Sequence, residues 1–228
     1  MGTDDIFKRK RAQKLEQKKE NRIPKPNSFL ILSEGEKTEP YYFDGLSKYI
    51  NNKYKDHINL NQLPIIDTQG EGKCTVSLVN AAAKYIARSS FRYEKVWVVF
   101  DKDDFNDFDD AIDLAHQYNF RVAWSNQSFE FWIYLHFNYS DAALHRDDWV
   151  EKISEIFKLW NISKNGYTKN DPDVFKLIVE NVGLKNAISN AKRIESQYAP
   201  TQKPSQCDPC TTVHHLILEF EEYLQELL

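Results

Sequence analysis

The sequence predicts an α/β fold in which helices flank a parallel β-sheet. Short apolar runs alternate with segments of helical periodicity up to about residue 140, an order typical of right-handed β-α-β units. The run Val96–Phe100 is apolar without interruption, as expected for a strand buried on both faces of a sheet. Beyond residue 140 only helical patterns remain. We therefore predict three parts: a basic N-terminal arm (1–23), an α/β core (24–140) and a helical C-terminal region (141–228).

The core is predicted to contain four strands that follow one another with a helix between each pair. The strands are predicted at 27–35, 61–70, 94–104 and 120–126. The helices between them are predicted at 39–52, 74–90 and 108–119. The aromatic segment 128–137 is predicted to be a fourth helix, although its length alone also allows a strand. Further helices are predicted in the C-terminal region at 147–161, 171–182, 184–198 and 210–228.

The composition is that of an ordinary globular protein, with 41% hydrophobic and 28% charged residues. A chain of 228 residues forms one large domain, or one domain with a smaller appendage. No apolar run approaches the roughly 18–20 residues that a membrane span needs, and the basic N-terminus lacks the apolar segment of a secretory signal. Three cysteines are too few for a disulfide scaffold, so we expect a reducing cytoplasm.

Charge is distributed unevenly along the chain. Residues 1–26 contain nine Lys/Arg and four Asp/Glu, whereas the remainder contains 21 Lys/Arg and 30 Asp/Glu. A basic arm on an acidic body is typical of a nucleic-acid tether, and it is equally typical of a solvated, partly helical tail. The net charge of −4 argues against a protein that binds nucleic acid through its whole surface.

Acidic residues follow two of the predicted strands at the point where each strand ends. The segment SEGEKTEP after the first strand contains Glu34, Glu36 and Glu39, and the third strand runs into Asp101 and Asp103. Active sites of open parallel sheets form at the carboxyl ends of the strands, and residues 101 and 103 share a face if the chain there is extended. Acidic loops are usually only solvated, but these two follow apolar strands. Because carboxylate oxygens are the ligands that Mg²⁺ prefers, we predict a site for Mg²⁺ or Mn²⁺.

Glu130 is an isolated acid among aromatic residues, in the segment SFEFW after the fourth strand. A carboxylate in such surroundings either packs against a partner or points into the site. We favour the site, because the residue follows a strand whose carboxyl end lies at the same edge of the sheet.

Several segments resemble known proteins. A strand followed by EGEKTE and a later strand followed by DKD resemble the TOPRIM fold. More closely, ILSEGEKTEPYYFDGL, VWVVFDKDDF, NQSFEFWIYLHF, YTKNDPDVF and TTVHHL resemble the RloB-like family, over about residues 28–218. The segment EGEKTEPYYF is quite specific, whereas DKD alone is weak. The resemblance implies a TOPRIM-like Rossmannoid sheet and a place in phage-defence or restriction loci, frequently beside an ATPase.

The resemblance also implies roles for individual residues. Glu34 matches the metal-binding glutamate of the TOPRIM fold, and Asp101 and Asp103 match its metal-binding DxD pair. Glu39 matches a second acid in the EGxTE motif of the related nucleases, which implies an accessory metal ligand. Lys37 either stabilises phosphate charge, donates a proton, or only balances the neighbouring glutamates.

The C-terminal region offers candidates for contacts with a phosphate backbone: Tyr167 and Lys169 in YTKND, and His214 in TTVHHL. A histidine at the start of a helix more often caps or packs. The pair Cys207 and Cys210 has CxxC spacing, but a zinc site would need one of the neighbouring histidines and would still be incomplete.

These features together predict a Mg²⁺-dependent nuclease that hydrolyses DNA or RNA in prokaryotic defence. A nucleotide-binding P-loop is excluded at GEGKCT, because the motif needs a glycine where Asp67 stands. The tyrosines at 41 and 42 lie on an aromatic helix and read as core, which favours hydrolysis over strand passage. The alternative is a non-catalytic subunit that binds nucleic acid or a partner in a complex with an ATPase. Whether the chain forms a homo-oligomer is left open.

Overall fold

A five-stranded β-sheet lies at the centre of the structure, a computed structural model that describes residues 23–56 and 63–228. The strands are β1 (Ile23–Ser33), β2 (Ile65–Gly70), β3 (Phe91–Asp101), β4 (Arg121–Asn126) and β5 (Cys210–Thr211). Their spatial order is β2-β1-β3-β4-β5, and every neighbouring pair is parallel except β4 and β5. The predicted α/β fold is thereby confirmed. The predicted basic arm lies outside the described residues except for Ile23.

Helices surround this sheet, and eight α-helices lie in the described part of the chain. They are α1 (Thr38–Tyr54), α2 (Thr75–Arg88), α3 (Phe108–Gln117), α4 (Phe129–Leu135), α5 (Arg146–Leu159), α6 (Val174–Asn181), α7 (Lys185–Glu195) and α8 (Val213–Leu218). Helices α2 and α3 contact each other and cover β3 and β4, whereas α1 packs on β2 and α6, and α4 packs on α5 and α7. The aromatic segment predicted at 128–137 is thus helical. No helix among these is both long and apolar enough to cross a membrane.

The strands are held at the centre by their apolar side chains. Phe29–Leu32 of β1 and Trp97–Phe100 of β3 are buried, as expected where helices cover both faces of a parallel sheet. The two strands are direct neighbours, and Ser33 lies opposite Val99. The carboxyl ends of β1 and β3 therefore emerge side by side, which brings the residues after Ser33 next to those that end β3.

The end of the chain differs from its prediction as one helix over 210–228. Residues Cys210 and Thr211 instead form β5, and the helix is confined to Val213–Leu218. The edge of β4 explains the difference, because the Thr212 amide donates to the Trp124 carbonyl and the Thr212 hydroxyl accepts from the Trp124 amide. A backbone committed to the sheet edge cannot also begin a helix.

The C-terminal region also shares the interior of the core. One continuous cluster of buried apolar side chains extends from Phe29 to Leu224, and β5 adds a strand to the sheet. The domain boundary that the sequence predicts near residue 140 stays a prediction.

A buried network of two hydrogen bonds links three segments that are distant in sequence. The Tyr42 hydroxyl on α1 lies 3.0 Å from His136 Nε2, and His136 Nδ1 lies 2.9 Å from the carbonyl oxygen of Gly183. Because a carbonyl only accepts, Nδ1 carries the proton, and Nε2 accepts from Tyr42. Burial lowers the pKa of His136 to about 4, so the ring is neutral in this network.

Replacing Tyr42 by phenylalanine is expected to lower the free energy of unfolding by about 1–3 kcal/mol, because His136 Nε2 is left buried without a donor. Equilibrium unfolding in urea would measure the loss. The matched control is Tyr41→Phe on the same helix, whose side chain is only partly buried and should change stability by less than about 0.5 kcal/mol. Equal effects of the two substitutions would contradict the assignment.

Candidate metal centre

The first acidic motif lies against the second because β1 and β3 are neighbours. The Glu34 amide donates to the Val99 carbonyl at 2.9 Å, which continues the strand pairing by one residue. The Glu34 carboxylate accepts from the Asp101 amide, with Oε2 at 3.5 Å from the nitrogen. The predicted convergence of these two acids at the edge of the sheet is therefore seen in the structure.

Asp101 is fixed by the element that follows β4. Its Oδ2 accepts from the Phe129 amide at 3.0 Å, at the start of α4. The next residue, Lys102, donates its amide to the Ser125 carbonyl at 2.8 Å. Helix α4 thus holds the carboxylate from one side while the β3–β4 pairing holds its backbone.

Asp103 lies beyond the end of β3 and is not extended. Its φ of 38° places it in the left-handed region, which aspartate tolerates better than most residues. The extended geometry on which the sequence argument for a shared face depended is therefore absent. Arg146 on α5 donates to Asp103 Oδ2 at 2.8 Å, while Oδ1 is buried and has no hydrogen-bond partner among the described residues. A buried carboxylate oxygen normally has a hydrogen-bond donor or a cation as its partner.

Glu39 approaches the same edge from the first turn of α1. Its side chain is buried, and Oε1 accepts from the Gly35 amide at 3.2 Å. Gly35 makes this approach possible, because a Cβ there would lie 2.1 Å from Glu39 Oε2. The glycine of the EGEKTE segment therefore makes room for a carboxylate behind the loop.

Glu130 is buried and faces two residues of the YTKND segment. Lys169 Nζ lies 3.3 Å from Glu130 Oε1, and the Tyr167 hydroxyl donates to the same oxygen at 3.4 Å. The YTKND segment also contacts the start of α1, because the Thr38 hydroxyl donates to the Lys169 carbonyl at 2.8 Å. Glu130 therefore has buried partners and its charge acts on Glu39 and Asp101, whereas its role in a metal site stays a prediction.

Burial and mutual repulsion raise the pKa values of three of these acids. Burial raises the pKa of Glu34 to about 7, with further contributions from Asp103 and Glu39. Burial and the charge of Glu130 likewise raise the pKa of Glu39 to about 7. The pKa of Asp101 is raised well above its usual range by burial and by the charges of Glu39 and Glu130. Such groups repel one another near neutral pH.

The donor set fits a hard divalent cation. Every ligand candidate here is a carboxylate oxygen, which is the chemistry that Mg²⁺ and Mn²⁺ select, and Asp103 Oδ1 is an orphaned acceptor. In the described part of the chain, no three of these acids bring their oxygens within 4.8 Å of one another.

An open cleft of about 490 Å³ lies beside this group, and Glu34 is the acid of the group that lines it. It is lined by the loops after β1 and β2, by Phe105 and by Lys169. Glu34, Lys37 and Lys73 contribute charged groups to its wall. Lys37 is exposed and makes no ion pair within 4.0 Å with the residues that the structure describes, and its role stays a prediction.

Two of the residues predicted to contact a phosphate backbone are buried. Tyr167 packs in the core behind Glu130, and His214 has no exposed surface. A side chain without exposed surface cannot contact a polynucleotide in this conformation. Lys169, with 45% of its side chain exposed, lies on the cleft.

A family model for RloB-like proteins matches residues 29–220 of the chain. The match covers most of the chain and includes every acid of the candidate centre. This chain belongs to the RloB-like family. The comparisons with curated proteins and with solved structures gave no match.

Sequence reasoning on this RloB-like protein missed Arg146 and the burial of Glu39. Arg146 precedes the helix predicted at 147–161 and belongs to none of the motifs. Its contact with Asp103 joins residues 43 positions apart, and only the packing of α5 against α4 brings them together.

The raised pKa values predict how stability depends on pH when metal is chelated. A buried carboxyl with a pKa raised from 4.5 to about 7 holds a proton in the native state that the unfolded state has lost, so stability falls as pH rises from 4.5 to about 7. A Glu39→Gln variant has no carboxyl group to ionise at this position, so it should not lose this stability as pH rises. Its free energy of unfolding should exceed that of the wild type by up to about 3 kcal/mol at pH 8 and match it near pH 4.

Urea unfolding in EDTA at the two pH values would measure this difference. The matched control is Glu36→Gln in the same loop, because Glu36 is exposed and should behave as wild type at both. Saturating Mn²⁺ should then stabilise the wild type more than Glu39→Gln. A Glu39→Gln variant that is less stable than wild type at pH 8 would show that the carboxylate is not under electrostatic stress.

Proposed function

We propose that this RloB-like protein is a nuclease that depends on Mg²⁺ or Mn²⁺ and hydrolyses phosphodiester bonds in DNA or RNA. The observation that carries the proposal is the set of acids at the carboxyl edge of the sheet, of which Glu39 and Glu130 are buried and Glu34, Asp101 and Asp103 are partly buried. A protein retains such an arrangement where a cation or a charged transition state offsets the repulsion. The resemblance of the two motifs to TOPRIM nucleases supports the same reaction class.

Glu34, Asp101 and Asp103 would hold the metal, with Glu39 and Glu130 as additional carboxylates behind them. When bound, the metal would polarise a phosphate oxygen and lower the pKa of a water molecule. Arg146 acts as a positioning residue, because its ion pair orients Asp103 and leaves Oδ1 free.

The cationic side chains of the cleft suit a phosphate substrate. Lys169 contacts Glu130 and reaches solvent in the cleft, so it can bind a non-bridging phosphate oxygen while it remains beside the acids. Lys37 is in the same wall, at the residue that precedes α1. Positive charge at a helix N-terminus and on a flexible lysine favours an anion at this position.

Hydrolysis by water is favoured over strand passage through a tyrosine. Tyr42 is fully buried and its hydroxyl is occupied by His136. The described residues therefore give this tyrosine no route to a phosphodiester in the cleft. A role in defence against phage or foreign DNA, with an ATPase as partner, is proposed on the family resemblance.

The experiment incubates the purified protein with plasmid DNA, single-stranded DNA and a tRNA pool, each with Mg²⁺, Mn²⁺ or EDTA. We expect cleavage of one substrate class, dependent on metal, and a loss of about 100-fold or more in Asp101→Asn. The matched control is Asp104→Asn, which removes an exposed acid three positions further along the chain and should retain wild-type activity.

Cleavage that persists in Asp101→Asn would overturn the assignment of the site. Absence of cleavage on every substrate, with and without candidate partners, would favour the alternative of a non-catalytic subunit. Calorimetric titration of Mn²⁺ into the same variants separates these cases, because loss of binding in Asp101→Asn establishes the metal centre even where no cleavage is seen.

A further inference from the structure

A second group of ligand-type side chains lies at the junction of two helices in the C-terminal region. Glu195 is the last residue of α7, and His214 and His215 lie on α8. Within the described ranges, 23–56 and 63–228, these are the three side chains of this type whose ligand atoms all lie within 4.8 Å of one another. The group is not part of the cleft that lies beside the candidate metal centre.

The distances within this group are those of a coordination sphere. His215 Nε2 lies 3.0 Å from Glu195 Oε1 and 3.1 Å from Oε2, and His214 Nε2 lies 3.2 Å from Oε2. In a tetrahedral site with bonds of about 2.0–2.1 Å, two ligand atoms lie roughly 3.3 Å apart. The two imidazole rings lie side by side, with centroids 4.0 Å apart and planes inclined by 35°, so both present Nε2 to the same carboxylate.

Hydrogen bonding alone accounts for only part of the arrangement. His215 makes a hydrogen bond of good geometry to Glu195. His214 does not: its side chain has no exposed surface, and neither ring nitrogen has a hydrogen-bond partner among the described residues. His214 Nε2 faces only the Glu195 carboxylate, at 3.2 Å, and Nδ1 lacks the partner that buried polar groups normally have.

We propose that Glu195, His214 and His215 bind a late divalent transition-metal ion such as Zn²⁺. Two imidazole nitrogens and one carboxylate oxygen form a borderline donor set that Zn²⁺ prefers and Mg²⁺ does not. An ion bound to Nε2 of both rings would give His214 Nε2 a bond, while Nδ1 would stay without a partner among the described residues. Glu195 and His215 keep 39% and 49% of their side chains exposed, so the fourth position is open to water.

This ligand set differs from the one that CxxC spacing suggests. Cys207 and Cys210 are buried, and neither belongs to the group of ligand atoms within 4.8 Å. The site joins the end of α7 to α8, which directly follows β5, so the ion would fasten the last strand of the sheet to the helical layer.

The test measures metal binding to metal-free full-length protein carrying Asp101→Asn, in the presence of excess Mg²⁺, so that the carboxylate centre does not contribute. Zn²⁺ affinity is obtained by competition with a chromophoric chelator, and Co²⁺ serves as the spectroscopic probe. We expect one equivalent to bind, a visible d–d band of low-symmetry Co²⁺, and no thiolate-to-cobalt charge-transfer band.

Glu195→Gln and His215→Ala should each weaken Zn²⁺ binding by about tenfold or more. Both positions are partly exposed, so neither substitution threatens folding as His214→Ala would, and circular dichroism checks this. The matched control is His116→Ala, an exposed histidine at the end of α3, which should bind as the parent does. Equal binding by all variants, or a thiolate band, would overturn the proposal.

This inference stands apart from the proposed nuclease activity. A protein that cleaves no substrate can still bind Zn²⁺ at Glu195, and a nuclease can lack the second site. Because every measurement is made on the Asp101→Asn protein, its outcome does not depend on the reaction at the carboxylate centre.

Discussion

The pairing of β1 with β3 is the constraint on which the candidate centre depends. Ser33 lies opposite Val99, and the Glu34 amide adds one more hydrogen bond to the Val99 carbonyl. This register leaves Glu34 and Asp101 side by side where both strands end. A shift by one residue would turn either side chain to the other face of the sheet. Since Phe29–Leu32 are buried, hydrophobic packing holds β1 in the sheet and thereby keeps the two carboxylates close together against their repulsion.

Residues close in sequence to these strand ends were predictable, and those brought in by packing were not. Glu34, Asp101 and Asp103 follow apolar runs, so the edge of the sheet where they lie follows from topology alone. Arg146, by contrast, meets Asp103 only because α5 packs on α4, and Glu195 meets His214 only because α7 packs on α8. Neither contact produces a periodic pattern in the sequence from which it could have been predicted. The extended form assumed for Asp103 failed because β3 ends at Asp101.

Helix prediction failed for a related reason at the end of the chain. The segment 210–228 has a helical hydrophobic pattern, and its apolar residues are indeed buried, among them Leu216 and Phe220. The edge of β4 nevertheless binds the backbone at Thr212, and Glu219 forms ion pairs with Lys95 and Arg121 on the neighbouring strands. Tertiary contacts thus divide one amphipathic segment into a strand, a short helix and a turn.

The two groups of ligand-type residues differ in the property that selects a metal. The edge of the sheet offers only carboxylate oxygens with raised pKa values, so a proton competes with the cation for them near neutral pH. The α7–α8 junction offers imidazole nitrogens and a single carboxylate, a donor set that suits late transition metals better than Mg²⁺. The two proposed sites therefore differ in the ion that they favour, because only the α7–α8 junction offers imidazole nitrogens beside its carboxylate.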